Sequence, residues 1–164
     1  MVRLAIILGL LSAVGPFAID MYLPALPTIA DDLNATEAGV QVTLTAYFMA
    51  FGIAQLFYGP MADATGRKPP LLLGLAVFAI GSLGAIFAGS IGSLAVWRFI
   101  QGLGGASLMV VPRAVIRDQY TGTQATRLMA MIMMVISISP MLAPLAGSGV
   151  IAIAGWRTIF GVLL

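Results

Sequence analysis

The chain has 164 residues, of which 60% are hydrophobic and only 9% are charged, whereas about 25% of the residues in a soluble domain are charged. Its 8 basic and 6 acidic side chains, with a formal net charge of +2, cannot cover a soluble surface or form a basic patch for nucleic acid. The composition therefore excludes an ordinary globular protein, a disordered chain and a nucleic-acid-binding protein, and it indicates an integral membrane protein.

Cysteine and histidine are both absent, and the only lysine is Lys68. Disulfide frameworks, zinc sites of the Cys/His type and nucleophilic catalysis by Cys–His or Ser–His pairs are therefore excluded. We expect no metal, no cofactor and no enzymatic activity.

Uncharged stretches long enough for a membrane span, which needs about 20 apolar residues, alternate with short charged segments. Two stretches contain one charge each, Asp20 or Arg98, and a tight turn at Gly89–Ser93 divides the uncharged stretch 69–97. We predict an all-α membrane protein with one transmembrane domain, residues 1–164. Its spans are expected at about 4–28, 38–60, 69–88, 93–114 and 126–152, with a sixth that starts at 157 and is incomplete at Leu164.

The basic residues predict the orientation of these spans. Six of them fall on one side of the predicted topology, whereas Arg157 lies alone on the other side with three acids. The side with six bases is therefore expected to be cytoplasmic, which places the N-terminus inside. The six are Arg3, Arg67, Lys68, Arg113, Arg117 and Arg127.

Asp20 is an acid within the first predicted span. A carboxylate there costs about 2.5–3.5 kcal/mol on insertion scales, so such residues usually face a cavity or a partner. It shares a stripe with Ser12, Pro16 and Pro24 at i+4 spacing, and these prolines are expected to kink the helix inside a bundle. Asp20 is interpreted as a proton or substrate site, or as a structural acid that a neighbouring arginine neutralises.

Arg98, in the fourth predicted span, is the expected partner of Asp20. At 1.5 Å per residue, the two lie about 10 Å and about 16 Å below the same membrane face, within the reach of an arginine side chain. Gln101 follows one turn deeper, and Tyr22 and Tyr47 add amphipathic surface, so these three residues are predicted to line a substrate cavity. The alternative is that Arg98 extends towards the membrane surface near a helix end.

The segment 102–107 is rich in small residues and predicts close helix packing rather than a dinucleotide site, because no strand precedes it. A second small-residue pattern occurs twice. Gly66-Arg67-Lys68 follows the second span and Gly155-Trp156-Arg157 follows the fifth, which is consistent with a repeat of three plus three helices.

A compact charged loop joins the second and third predicted spans. Gly59 is expected to allow close packing at the end of the second span, Gly66 to permit a tight turn, and the two bases to anchor the cytoplasmic face. The spacing of the whole pattern is more specific than such an anchor requires. The pattern comprises Gly59, Asp63, Gly66, Arg67 and Lys68.

This loop resembles the signature between helices 2 and 3 of the major facilitator superfamily. The segment 98–106, which begins Arg-x-x-Gln-Gly, resembles that superfamily's helix 4 motif, and 19–27 resembles helix 1 of its bicyclomycin-resistance type of multidrug:proton antiporters. The helix 5 antiporter motif is similar to Ala143-Pro144-x-x-Gly147-Ser148, where the family usually has Gly-Pro and Gly-Gly. Pro140 precedes this motif by one helical turn.

The resemblance covers the whole chain and implies the N-terminal six-helix half of a 12-helix carrier, truncated in helix 6. It implies that Asp20 and Arg98 take part in proton coupling, and that the loop from Gly59 to Lys68 takes part in gating. The expected energy source is a proton gradient, and the expected partners are the lipid bilayer, a small-molecule substrate and a C-terminal half. The expected location is the bacterial inner membrane.

The leading interpretation is a proton-coupled exporter of drugs or small molecules that works by alternating access. An importer of another small solute on the same scaffold, and an inert transporter fragment, remain open alternatives. A membrane enzyme fits least well because the chain lacks His and Cys.

Overall fold

The computed structural model describes residues 2–164, and every regular element in this range is helical. Five stretches are long and apolar enough to cross a membrane, so the protein is a multi-pass membrane protein. The α-helices are α1 Val2–Asp20, α2 Leu26–Asp32, α3 Glu37–Thr65, α4 Lys68–Ile86, α5 Ile91–Gln119, α6 Gly122–Ala154 and α7 Arg157–Val162.

The first span is not one continuous helix. It consists of α1, a turn that contains Met21 and Tyr22, a short 3-10 helix at Leu23–Ala25, and α2. Pro24 and Pro27 cause this irregularity, because proline lacks an N–H donor and disfavours helical geometry in the residue before it. The prolines were expected to kink the first span, and the break directly follows Asp20.

Three of the four remaining long helices extend past the apolar stretches read from the sequence, whereas α4 ends at Ile86 rather than 88. The α3 helix ends at Thr65 rather than 60, α5 at Gln119 rather than 114, and α6 spans Gly122–Ala154 rather than 126–152. A helix of 29 residues is about 44 Å long, whereas the hydrocarbon core is about 30 Å thick. The sequence pattern measures only the apolar part, because helical hydrogen bonds continue through polar residues at the membrane boundary.

The α5 helix lies at the centre of the bundle and packs against α1, α3 and α4. Close packing depends on its glycines, as the small-residue segment predicted. A Cβ atom added to Gly102 would overlap the carbonyl oxygen of Tyr47 in α3, and one added to Gly104 would overlap the backbone of Phe78 in α4. The central helix thereby approaches the backbones of both neighbours.

Large apolar side chains cover the outside of the bundle. Leu56 is 74% exposed, Met141 72% and Ile153 89%, as expected for surfaces that contact lipid. Some polar residues of the spans are fully buried, among them Ser82 and Gln101, and the charged residue in this buried group is Arg98.

Candidate functional site

Arg98 is fully buried in α5 and is enclosed by aromatic rings. Its guanidinium carbon Cζ lies 4.5 Å from the centre of the Tyr22 ring, 4.4 Å from that of Tyr47 and 5.9 Å from that of Phe160. All four side chains have an exposed fraction of 0%. Ring faces attract a guanidinium most strongly away from water. We call Arg98, Tyr22, Tyr47 and Phe160 the Arg98 cage.

Neutral oxygen atoms accept the hydrogen bonds of Arg98. Its Nη1 atom donates to the carbonyl oxygen of Ala18 at 3.2 Å and to Oε1 of Gln101 at 2.5 Å. Gln101 in turn donates through Nε2 to Ser82 Oγ at 2.7 Å, and Ser82 donates to the carbonyl oxygen of Phe78 at 2.9 Å. The chain of hydrogen bonds therefore links α1, α5 and α4.

The two tyrosines of the cage are held by further hydrogen bonds. Thr43 Oγ1 donates its proton to the carbonyl oxygen of Val40 at 2.6 Å, so the Tyr22 hydroxyl donates to Thr43 Oγ1, also at 2.6 Å. The Tyr47 hydroxyl donates to the carbonyl oxygen of Gly15 at 3.3 Å. These contacts fix both rings on either side of the guanidinium.

The positive charge of Arg98 is not neutralised within the described residues. Among residues 2–164, its Nε and Nη2 atoms have no hydrogen-bond partner, and every ion pair in this range involves Arg67 or Arg157 instead. A buried charge without a counter-ion is costly, so such residues are usually retained for function. The cage thus presents two free donors and one uncompensated charge.

The expected contact between Asp20 and Arg98 is absent. Arg98 binds the side of α1 that contains Ala18, whereas Asp20 comes two residues later and therefore points about 200° around the helix axis. Asp20 is partly buried at the last position of α1. The sequence argument compared only depths in the membrane, and helix rotation separates the two side chains.

Tyr22, Tyr47 and Gln101 were predicted to line a substrate cavity, but none of them is exposed to one. All three are fully buried against Arg98. A groove of about 400 Å³ lies instead between α1, α6 and α7, and it is lined by apolar residues such as Phe17 and Val150. The three predicted residues organise the cage rather than an open cavity.

A second charged cluster lies at the end of the bundle where α3 meets α4. Arg67 Nη1 contacts Asp63 Oδ1 at 2.9 Å, and Arg67 Nε contacts Asp118 Oδ2 at 2.6 Å. The hydrogen bond from Arg67 holds the pKa of the Asp118 carboxyl below its ordinary value. We call Asp63, Arg67 and Asp118 the loop cluster, and it ties the loop after α3 to the end of α5.

Asp118 was not identified from the sequence as a site residue. A signal was nevertheless present, because Asp63 and Asp118 are the only acids on the side that contains six bases. Pairing these two acids with Arg67, the base that directly follows the turn at Gly66, would have suggested the cluster.

Of the two glycines in the loop pattern, one has the role expected of it and the other does not. Gly66 has a positive φ of 83° and ends α3, as its tight-turn prediction requires. Gly59, however, does not pack closely, because a Cβ at this position would meet nothing within 4 Å. It lines a cavity of about 330 Å³ beside Asp63 and Arg113. Lys68 begins α4.

The helix 5 motif residues lie within α6, which continues through both Pro140 and Pro144. Ala143 is fully buried in the same core as Tyr22. A Cβ at Gly147 would overlap the carbonyl oxygen of Met21, so Gly147 allows α6 to contact the break in the first span. The motif therefore packs against the backbone that follows Asp20.

Comparison with known proteins gives a consistent family match. The family model described as "Major Facilitator Superfamily" matches residues 8–164. The chain is 40% identical over 163 residues to "Uncharacterized MFS-type transporter YdgK" of Bacillus subtilis, with 98% of this chain and 40% of that protein covered.

Two further relatives have names that refer to drug resistance. The chain is 42% identical over 158 residues to "Bicyclomycin resistance protein homolog" of Haemophilus influenzae, with 95% of this chain and 39% of that protein covered. It is 38% identical over 163 residues to "Multidrug resistance protein D" of Escherichia coli, with 99% and 41% covered. The chain thus spans about two fifths of the length of these curated relatives.

Proposed function

Because the chain belongs to the Major Facilitator Superfamily, we propose that it forms the N-terminal helices of a carrier that exports drugs or other small molecules in exchange for protons. The carrier works by alternating access in the bacterial inner membrane, with the N-terminus in the cytoplasm. The printed names of two relatives, which refer to bicyclomycin and multidrug resistance, support the choice of substrate class.

The uncompensated charge of Arg98 is the observation that carries the proposal. A bundle that needed only stability would gain from an apolar residue at this position, because buried ionic groups are often replaceable without loss of stability. The cage retains a cation with two donor nitrogen atoms that have no hydrogen-bond partner. Such a group is suited to bind a carboxylate or a polar substrate group during part of a transport cycle.

Asp20 is proposed as the carboxyl group that takes up and releases the proton. It is the last residue of α1, directly before the irregular segment at Met21–Ala25. A change in this segment rotates the end of α1, and an ionised Asp20 is then attracted to Arg98, whereas a protonated Asp20 is not. Proton binding is thereby linked to the shape of the first span.

Gating is proposed for the loop cluster, which lies at the C-terminal end of α3. Its ion pairs lie at the surface, where each contributes little and breaks readily. This property suits contacts that must separate and re-form once in every transport cycle. The cluster joins the loop at Gly66 to α5, the helix that contains Arg98.

Proton-driven drug efflux by the complete carrier tests the proposal. Asp20→Asn keeps the size of the side chain but cannot titrate, so we expect normal expression and loss of efflux driven by a pH gradient. Asp31→Asn is the matched control, because Asp31 is an exposed acid at the end of α2. Unchanged efflux by Asp20→Asn would contradict the coupling role, and loss of efflux in both variants would contradict its specificity.

A further inference from the structure

The loops after α3 and α6 have the same local conformation. The α3 helix ends at Gly66 with φ 83° and ψ 176°, and α6 ends at Gly155 with φ 79° and ψ 170°. Each glycine precedes a basic residue at the start of the next helix, Arg67 or Arg157. The small-residue pattern seen twice in the sequence therefore corresponds to a repeated structure.

The two arginines also reach equivalent places. Arg67 pairs with Asp118 near the end of α5, and Arg157 pairs with Asp32 at the end of the first span. The first span is followed by α3 and α4, and α5 is followed in the same order by α6 and α7. The spans alternate in direction, so the two pairs lie at opposite ends of the bundle. This arrangement is that of an inverted repeat.

The pair at the Asp32 end is part of a larger set of contacts. Arg157 Nη1 and Trp156 Nε1 both donate to Asp32 Oδ2, at 2.5 Å and 3.1 Å. Arg157 Nη2 donates to the carbonyl oxygen of Ala88 at 3.1 Å, and its Cζ lies 4.2 Å from the centre of the Trp156 ring. These contacts join the end of α2, the segment after α4 and the start of α7.

This set of contacts is directly connected to the Arg98 cage. Phe160 lies three residues after Arg157, and its ring packs edge-on against Trp156 at 6.2 Å between centroids. The same ring lies 6.0 Å from the Tyr22 ring and 5.9 Å from Arg98 Cζ. The position of α7 therefore decides whether this third wall of the cage is closed.

We propose that Asp32, Trp156 and Arg157 form a latch that positions Phe160 against Arg98, as the counterpart of the loop cluster at the opposite end of the bundle. The role of this latch in a transport cycle rests on the proposed function of Arg98. The latch residues are positioning residues. Asp32 is exposed and Arg157 is partly exposed, so the latch can open to water and release the α7 wall without unfolding the bundle.

Thiol accessibility on α7 tests the latch without measuring transport. The chain contains no cysteine, so Ile159→Cys provides one reporter at a position with an exposed fraction of 0%. A maleimide reacts with it only when α7 moves away from the core. In this reporter background we expect Arg157→Gln and Asp32→Ala each to raise the labelling rate about fivefold, as for the loss of one modest contact network.

The controls separate the latch from a general effect of charge. Asp31→Ala removes the adjacent exposed acid and should leave the labelling rate unchanged. The double variant Asp32→Ala with Arg157→Gln should raise the labelling rate by less than the product of the two single increases, because both changes remove the shared contact between Asp32 and Arg157. If Arg157→Gln does not fold, Asp32→Ala decides alone, since it leaves the arginine in place.

Equal labelling rates in the reporter and in Asp32→Ala would overturn the latch, and so would an equal increase in Asp31→Ala. An increase in the double variant equal to the product of the two single increases would show that the two residues act independently and would also overturn it. Loss of efflux in Asp20→Asn concerns proton coupling only, so failure of the latch and failure of the proposed function remain distinguishable.

Discussion

Arg98 and Arg67 are the same residue type in opposite environments. Arg67 has two carboxylates within ion-pair distance at the surface, whereas Arg98 is fully buried among aromatic rings and neutral acceptors. At the surface, the charge is neutralised cheaply by groups that water also solvates. In the bundle, ring faces and carbonyl groups hold the side chain but leave its charge uncompensated. The comparison indicates that the ion pairs of the loop cluster can separate and re-form in water, whereas the charge of Arg98 is held by the packing of the bundle.

The largest effect is expected from Arg98→Met, which keeps an unbranched side chain between the two tyrosine rings. Transport by the complete carrier should fall about 100-fold or more, equivalent to about 3 kcal/mol. The Tm should stay unchanged or rise, because replacing buried ionic groups by apolar ones is often neutral or stabilising by about 1–4 kcal/mol. Vesicle transport and thermal unfolding measure the two effects. Normal transport with a lowered Tm would show that Arg98 is purely structural.

A smaller effect is expected from Gly102→Ala, which tests packing at the cage. The added Cβ overlaps the backbone of Tyr47, and overpacking of this kind costs about 1–3 kcal/mol. Gly59→Ala beside the loop cluster is the matched control, since its Cβ meets open space. It should change stability by less than about 1 kcal/mol, in the stabilising direction expected for alanine in a helix. Equal losses of stability in Gly102→Ala and Gly59→Ala would show that the cage and the loop cluster do not differ in how closely they are packed.

The smallest effect is expected from Asp118→Asn in the loop cluster. At neutral pH the Tm should fall by no more than about 2 °C, because exposed ion pairs contribute little. The pKa of the Asp118 carboxyl is held below its ordinary value of 3.8. Its contribution is therefore fully present above that value and disappears as the pH falls through the lower pKa of the folded protein.

Thermal unfolding of the original chain and of Asp118→Asn, from neutral pH to below pH 3.8, measures the contribution of the Asp118 carboxylate to the Tm. The Tm values of the original chain and of Asp118→Asn should converge only below pH 3.8. Convergence at a higher pH, or a difference at neutral pH several times larger than expected, would place the loop cluster with the cage as a tightly held charge site.

The sequence pattern located the helices and several candidate functional residues, but not all of their contacts. The apolar stretches predicted five spans, the prolines predicted a kink in the first span, and the small-residue segment predicted the close packing of α5. The contact expected between Asp20 and Arg98 is not formed in this structure, because depth along two helices does not determine their rotation. Asp118 and Phe160 were missed, because each reaches its partner from a distant segment of the chain.

The sequence by itself determined the membrane environment, the helical class and the family, because composition, apolar length and motif spacing are local properties of the chain. Only the tertiary structure decided that Arg98 lies between Tyr22 and Tyr47 rather than beside an acid, and that Arg157 reaches Asp32. These contacts depend on how each helix is rotated and where its neighbours end. The packing of whole helices sets both the rotation and the end points. Where a glycine allows a neighbouring helix backbone to approach closely, it determines which side chains meet across the bundle.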